Sequence, residues 1–270
     1  MTGRFSVLPY VNALPLVHFI EESSPEAVLS CYPPRDSAAA LLARQADAAL
    51  VPVVDLFAHR ELRMVPGLGI CADGDVTSVL LQCHRPLPTV TVIGLDPQSR
   101  TSNVLAQVLV REHFRLSRRV EFIHGIAGAE ANICIGDRAL CAAPSLESYD
   151  LAGEWKKMTG LPFVFAVWAV QRSCRRVEEI TRLLQKARDR GCRSRHRLAR
   201  LCSQRLGLPE DRCYDYLAHR LHYDMGPGDV EGMKLFRELA AEFLPRAGGR
   251  QVRQVSDPPR KEDTPIMELT

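Results

Sequence analysis

The chain has 270 residues, 46% of them hydrophobic and 25% charged, with a formal net charge of +3. This composition excludes a disordered, collagenous or bilayer-embedded chain and is roomy enough for two lobes of ordinary domain size. No apolar stretch is long enough to span a membrane, and Met1–Leu8 turns into a strand-like run without the apolar core of a secretory leader, so a cytoplasmic location is expected.

In chain order, Phe5–Leu8 reads as a strand. Asn12 precedes Ala-Leu-Pro-Leu, where it can cap a helix whose first turn holds Pro15. Asp36 and Ser37 can cap a helix through Leu41 and Leu42, and Ala48–Val54 follows as a buried strand, AALVPVV. Strand, helix and strand in that order argue for a parallel α/β sheet. Val76–Leu81 is a further strand, interrupted by Pro86 and Pro88; Val90–Leu95 resumes the pattern and ends at Asp96-Pro97. Ser99-Arg100-Thr101-Ser102 then opens a helix with Leu105, Val108 and Leu109 on one face. Ile133–Ile135 is a short strand closed by Gly136-Asp137, and Leu161–Val170 is a long apolar, aromatic run.

From Ser173 the pattern is helical: Ile180, Leu183, Leu184 and Ala187 share one face. Gly191, Gly207 and Gly226-Pro227-Gly228 punctuate the rest, and Asp229 can cap a last helix bearing Met233, Phe236, Ala240 and Phe243. Arg246–Thr270 has no periodicity and reads as a disordered tail. The expected organisation is a first lobe of residues 1–87 with 171–245 and a second of residues 88–170. The chain would cross between them near Pro86–Pro88 and Trp168–Gln171, making a clamp that closes by hinge motion.

The stretch Leu95-Asp-Pro-Gln-Ser-Arg-Thr-Ser-Asn103 ends a strand and begins a helix among small hydroxyl residues. Free N–H groups there suit a carboxylate or phosphate, and they suit a plain helix cap equally well. Asn12 and Ser78 stand at strand edges, where open α/β sheets present ligands; a cap for Asn12 and a tolerated strand polar for Ser78 are the plainer readings. Asp137 either orients a group in the cleft or holds an arginine or a turn.

The eight histidines are scattered and the nine cysteines show no Cys-x-x-Cys pair, so neither a metal nor a disulfide framework is expected. Nucleotide loops, Gly-x-Ser-x-Gly elbows and paired carboxylates are missing as well, so the residues themselves call for no cofactor. The arginines between Arg172 and Arg205 are interleaved with acids and lack stacking aromatics; they read as a solvated helix face rather than a nucleic-acid surface.

Several segments together, in order over residues 5 to about 243, resemble the chorismate dehydratase family of the futalosine route to menaquinone. They are SVLPYVNALPL at 6–16, ADAALVPVVDL at 46–56, PGLGI at 66–70, GDVTSVLL at 74–81, GLDPQSRTSN at 94–103, IGDRAL at 135–140 and YDLAGEWKKMTGLPFVFAVWAV at 149–170. The resemblance implies an α/β, two-lobed periplasmic-binding-protein type II-like fold with a cleft between the lobes, used as an enzyme without cofactor or metal. It implies a hydro-lyase that converts chorismate to 3-[(1-carboxyvinyl)oxy]benzoate. It places Asn12 and Ser78 as catalytic residues and Ser99, Arg100, Thr101 and Ser102 as substrate-binding ones; Asp137, from its place after a strand and a glycine, is expected beside them as substrate-binding. The expected partner is a small dicarboxylate, with no nucleic acid or membrane, acting on a monomer or homodimer. The alternatives are the sister lyase of the same route, acting on cyclic dehypoxanthine futalosine, and a protein that only binds a small anion.

Overall fold

The structure is a computed structural model that describes residues 3–116, 120–142 and 147–244. In chain order the strands are β1 (Gly3–Val7), β2 (Ala27–Cys31), β3 (Ala48–Pro52), β4 (Leu62–Ala72), β5 (Val79–Cys83), β6 (Val92–Leu95), β7 (Glu121–His124), β8 (Ala131–Ile135), β9 (Glu147–Asp150), β10 (Phe163–Gln171) and β11 (His222–Asp224). The helices are α1 (Leu14–Val17), α2 (Ile20–Ser23), α3 (Pro34–Leu42), α4 (Val53–Ala58), α5 (Arg100–Glu112), α6 (Gly136–Leu140), α7 (Leu151–Thr159), α8 (Val177–Arg193), α9 (Arg195–Leu206), α10 (Glu210–Asp215) and α11 (Pro227–Leu239). The expected tail, Arg246–Thr270, lies outside the described residues.

Two sheets form. The first is six-stranded in the order β11-β4-β10-β3-β1-β2, and the second five-stranded in the order β7-β6-β8-β5-β9. β1 runs parallel to β2 and β3, and β6 parallel to β7 and β8. β10 is antiparallel to β3 and β4, and β5 to β8 and β9. β10 reads FVFAVWAVQ and is buried on both faces along most of its length, as a central strand covered on each side must be. Its Trp168 meets Phe5 of β1 edge to face, with ring centroids 6.2 Å apart.

The chain leaves the first sheet between Ala72 and Val79 and returns between Asp150 and Phe163. The crossings expected at Pro86–Pro88 and Trp168–Gln171 fall elsewhere: those prolines sit at a short 3-10 turn inside the second sheet's run, and Trp168 lies in the middle of β10. β4 escapes a pattern reading because Pro66 and Gly67 look like a turn. They occupy a bulge: β10 pairs with Met64 and then with Gly69, so Val65–Leu68 are skipped and Pro66 is not asked for a ladder N–H on that side.

Two expected caps also differ. Asn12 lies inside a 3-10 turn, Val11–Ala13, and the helix after it starts without a side-chain cap; Pro15 takes the first-turn position. α3 begins at Pro34, so Asp36 falls in its first turn, while Ser37 is buried and hydrogen-bonds Ser6 Oγ and the Leu50 carbonyl at 2.8 Å each. Asp229 does cap α11, accepting the Gly226 N–H at 2.8 Å. None of the described helices is long and apolar enough to cross a membrane. All nine cysteines are free thiols, five of them buried and Cys141 exposed.

Candidate active site

The parallel strands of both sheets end at one cleft, the place where such sheets present ligands. β1 ends at Val7, and the chain passes through Tyr10 into the turn that carries Asn12. β6 ends at Leu95, and α5 starts four residues beyond its Asp96. Ser78 stands immediately before β5. Asn12, Ser78, Ser99, Arg100, Thr101 and Ser102 thus line a single cavity, which Tyr10 and Phe165 also border. The free space is about 60 Å³. Small-molecule sites usually offer about 300–1,000 Å³, so a ring with two carboxylates needs the cleft to widen.

The start of α5 lies on this cavity and is capped from within: Ser99 Oγ accepts the Ser102 N–H at 3.2 Å, which consumes that hydroxyl. Thr101 Oγ1 donates to the Phe165 carbonyl of β10 at 3.2 Å and so ties this helix to the opposite sheet. Arg100 crosses the cleft too: its Nη1 lies 2.6 Å from Asp55 Oδ1 on α4. Asp55 is fully buried and its Oδ2 has no partner; burial pushes its carboxyl above the usual range, against the pull of Arg100.

Around Ser78 the backbone is strained and held. Thr77 has φ of 62°, an outlying conformation for a β-branched residue. Asp150 Oδ2 accepts the Val76 and Thr77 N–H groups at 2.9 and 2.6 Å, while its Oδ1 caps α7 through Ala152 and Gly153. The Ser78 side chain is 1% exposed, and the Tyr216 hydroxyl donates to its Oγ at 2.8 Å. Tyr216 comes from the opposite end of the sequence, on a π-helical turn at Tyr216–Arg220. Asn12 lines the same cavity, and its Oδ1 is buried without a partner.

Asp137 stands beside the cavity, not on its wall. Its Oδ1 accepts the Val11 N–H at 3.1 Å and its Oδ2 pairs with Arg205 Nη2 at 2.9 Å. The carboxylate therefore fixes the turn that carries Asn12 against α6 and α9. Tyr10 makes another bridge across the cleft, donating to Gln98 Oε1 at 2.9 Å; burial, aided by Asp96, pushes its phenol up to about 12. Arg138 pairs with Asp96. Sequence reasoning missed Tyr216, Asp150 and Asp55. Nothing in the local pattern distinguishes Tyr216 from Tyr214, because its role exists only where the π-helical turn after α10 meets Ser78 at the entry to β5.

One trio among the described residues has metal-ligand spacing: Cys71, His222 and Asp229, whose ligand atoms all lie within 4.8 Å of one another. Asp229 already accepts from His222 at 2.7 Å and from the Gly226 N–H at 2.8 Å, and the Cys71 thiol bonds to it as well. The trio is satisfied as a helix cap. An open hollow of about 750 Å³ beside β4 and α11 shares no lining residue with the cleft.

A protein-family model described as menaquinone biosynthesis matches residues 4–242. Chorismate dehydratase of Thermus thermophilus is 28% identical over 259 residues, covering 87% of this chain and 94% of that protein. Among solved structures, a protein of Archaeoglobus fulgidus superposes with a TM-score of 0.72 at 13% identity, covering 90% of this chain and 98% of its own. The periplasmic aliphatic sulphonate-binding protein SsuA of Escherichia coli superposes with a TM-score of 0.63 at 16% identity, covering 91% and 94%. The fold is therefore that of the periplasmic binding proteins, two α/β sheets with a cleft between them.

Proposed function

This chain belongs to the menaquinone biosynthesis family, and from that membership we propose that it is a dehydratase that removes water from chorismate. The product is 3-[(1-carboxyvinyl)oxy]benzoate, and its place is the futalosine route in the cytoplasm. The observation that carries the reading is the convergence of Asn12, Ser78 and the N-terminus of α5 on one cavity, drawn from both sheets.

Chorismate brings two carboxylates, a C4 hydroxyl and a C3 hydrogen. Loss of the last two aromatises the ring, so the reaction is downhill and the enzyme has mainly to orient and to stabilise developing charge. The free amides at the start of α5, with the half-exposed Arg100 guanidinium beside them, receive one carboxylate. Asn12 and Ser78 hold the ring so that the C4–O bond lies against the Ser78 hydroxyl. The C3 proton passes to the substrate's own enolpyruvyl carboxylate, and the electron pair of the C3–H bond becomes the new ring double bond. The C4–O pair leaves with oxygen, which takes up a proton and departs as water. Arg100 and Asp137 also set the cleft's geometry, through Asp55 and through the turn bearing Asn12.

Incubation of the purified protein with chorismate, followed by ultraviolet absorbance and chromatography, should show the aromatic ether accumulating as chorismate disappears. Asn12→Ala and Ser78→Ala should each lower kcat by about 10²-fold or more, the usual contribution of a positioned proton donor or orienting group, with thermal unfolding little changed. Undiminished turnover in both variants removes these residues from the chemistry; no turnover by the parent protein removes the substrate.

A further inference from the structure

The hydroxyl of Ser78 is not free to point anywhere. Tyr216 donates to its Oγ at 2.8 Å, and both side chains are 1% exposed. A phenol owns one proton, and Tyr216 spends it on Ser78 Oγ. The serine's own proton is the one left over. Ser78 borders the cavity and Tyr216 does not, so that proton is directed at whatever occupies the cavity.

We propose that Tyr216 is a positioning residue for the dehydration: by filling the acceptor side of Ser78 Oγ, it aims the Ser78 O–H at the departing C4 hydroxyl. The inference rests on the reading above, in which Ser78 faces chorismate. Tyr216 itself touches no substrate atom. It gives up no proton in the step, because the proton that completes the departing water comes from C3 by way of the carboxylate, and Ser78 contributes a hydrogen bond only. Burial pushes the phenol far above its ordinary range, so it remains a donor at any working pH. The backbone supplies a further sign of purpose. Tyr216 begins a π-helical turn, a form that costs stability relative to an α-helix and recurs at functional sites.

The test uses the full chain and chorismate, with Tyr216→Phe, Ser78→Ala and the double variant read for kcat, KM and thermal midpoint. Tyr216→Phe should lower kcat by about 10- to 100-fold, less than removal of the serine, because the hydroxyl survives but is no longer aimed. KM should stay within about twofold, and in the Ser78→Ala background the Tyr216→Phe change should have no further effect, since it acts through the serine. A kcat unchanged in Tyr216→Phe, or effects that multiply in the double variant, overturn the proposal. If Tyr216→Phe does not fold, 3-fluorotyrosine at this position keeps ring and hydroxyl and strengthens the donor. A kcat altered by about twofold or more at constant KM supports the role, and an unaltered kcat overturns it. A parent enzyme inactive on chorismate, or a fully active Ser78→Ala variant, overturns the underlying reading instead.

Discussion

Arg100 shows how one side chain joins the cavity wall to the fold. It lines the cavity while its guanidinium reaches the buried Asp55. Removing it leaves a carboxylate with no counter-charge in an apolar place. Arg100→Met should destabilise the protein by about 1–3 kcal/mol, below the cost of breaking a fully buried pair because Arg100 is partly solvated. The sign with pH follows from the raised Asp55 carboxyl. A carboxyl whose folded pKa lies above its unfolded value favours the fold at low pH, and that advantage is lost as pH rises through the folded value. The variant raises it further, so its deficit should be largest near neutrality and shrink as the medium is acidified toward the unfolded value of 3.8. Thermal melts across that range check this, and adding Asp55→Asn to Arg100→Met should restore much of the loss. The pairing was not legible in the sequence: Asp55 falls just past the run read as a strand, Ala48–Val54, and forty-five positions separate it from Arg100.

Among the elements, the turn bearing Asn12 depends on how α8 meets α1. The two helices pack together, and at Gly191 an added Cβ would lie 2.0 Å from the Pro15 carbonyl oxygen and 2.7 Å from its carbon. Those atoms are backbone, so they yield only if α1 moves, and Asn12 lies just ahead of α1. Gly191→Ala should therefore cost about 1–3 kcal/mol of stability and reduce turnover as well, measured by thermal unfolding and steady-state kinetics. The elements with a strong period were readable in the sequence. α5, α8 and the apolar β10 announce themselves by spacing or by an unbroken hydrophobic run. β4 was hidden by its proline and glycines, which mean a turn in most chains and a bulge here. β9 and α7 were not separated from the runs around them, because Asp150 caps from a strand end that looks like loop. The start of α5 was legible as a capped helix terminus because capping chemistry is local. Tyr216 was not, because a buried tyrosine's partner is chosen by packing and leaves no periodic trace.

At the scale of the molecule, several contacts cross the cleft, among them Arg100 to Asp55, Tyr10 to Gln98, Thr101 to the Phe165 carbonyl, and Tyr216 to Ser78. With about 60 Å³ of free space between the sheets, these contacts hold the clamp nearly shut. A substrate has to part them on entry, because the ring and its two carboxylates need more room than the ligand-free cleft offers. In solution the protein saturated with the aromatic dicarboxylate product should then give a larger radius of gyration by X-ray scattering than the ligand-free protein. A product concentration of 100 times Kd should also raise stability by about 2.7 kcal/mol. Equal radii with and without product would tell against a hinge.

The path of the chain through β10 has a consequence for how the protein comes into being. The second sheet is drawn from residues 79–150 alone, whereas the first waits for residues 163–171 to slide between two strands already made. As a nascent chain leaves the ribosome, the later-starting sheet is thus the earlier one to be completed. Until β10 emerges, β3 and β4 have no neighbour between them and expose open edges, the condition in which strands find wrong partners. Translation arrested once residue 150 has left the ribosome, with β10 still inside it, should yield a protease-resistant fragment from the middle of the sequence, flanked by an N-terminal segment still open to cleavage.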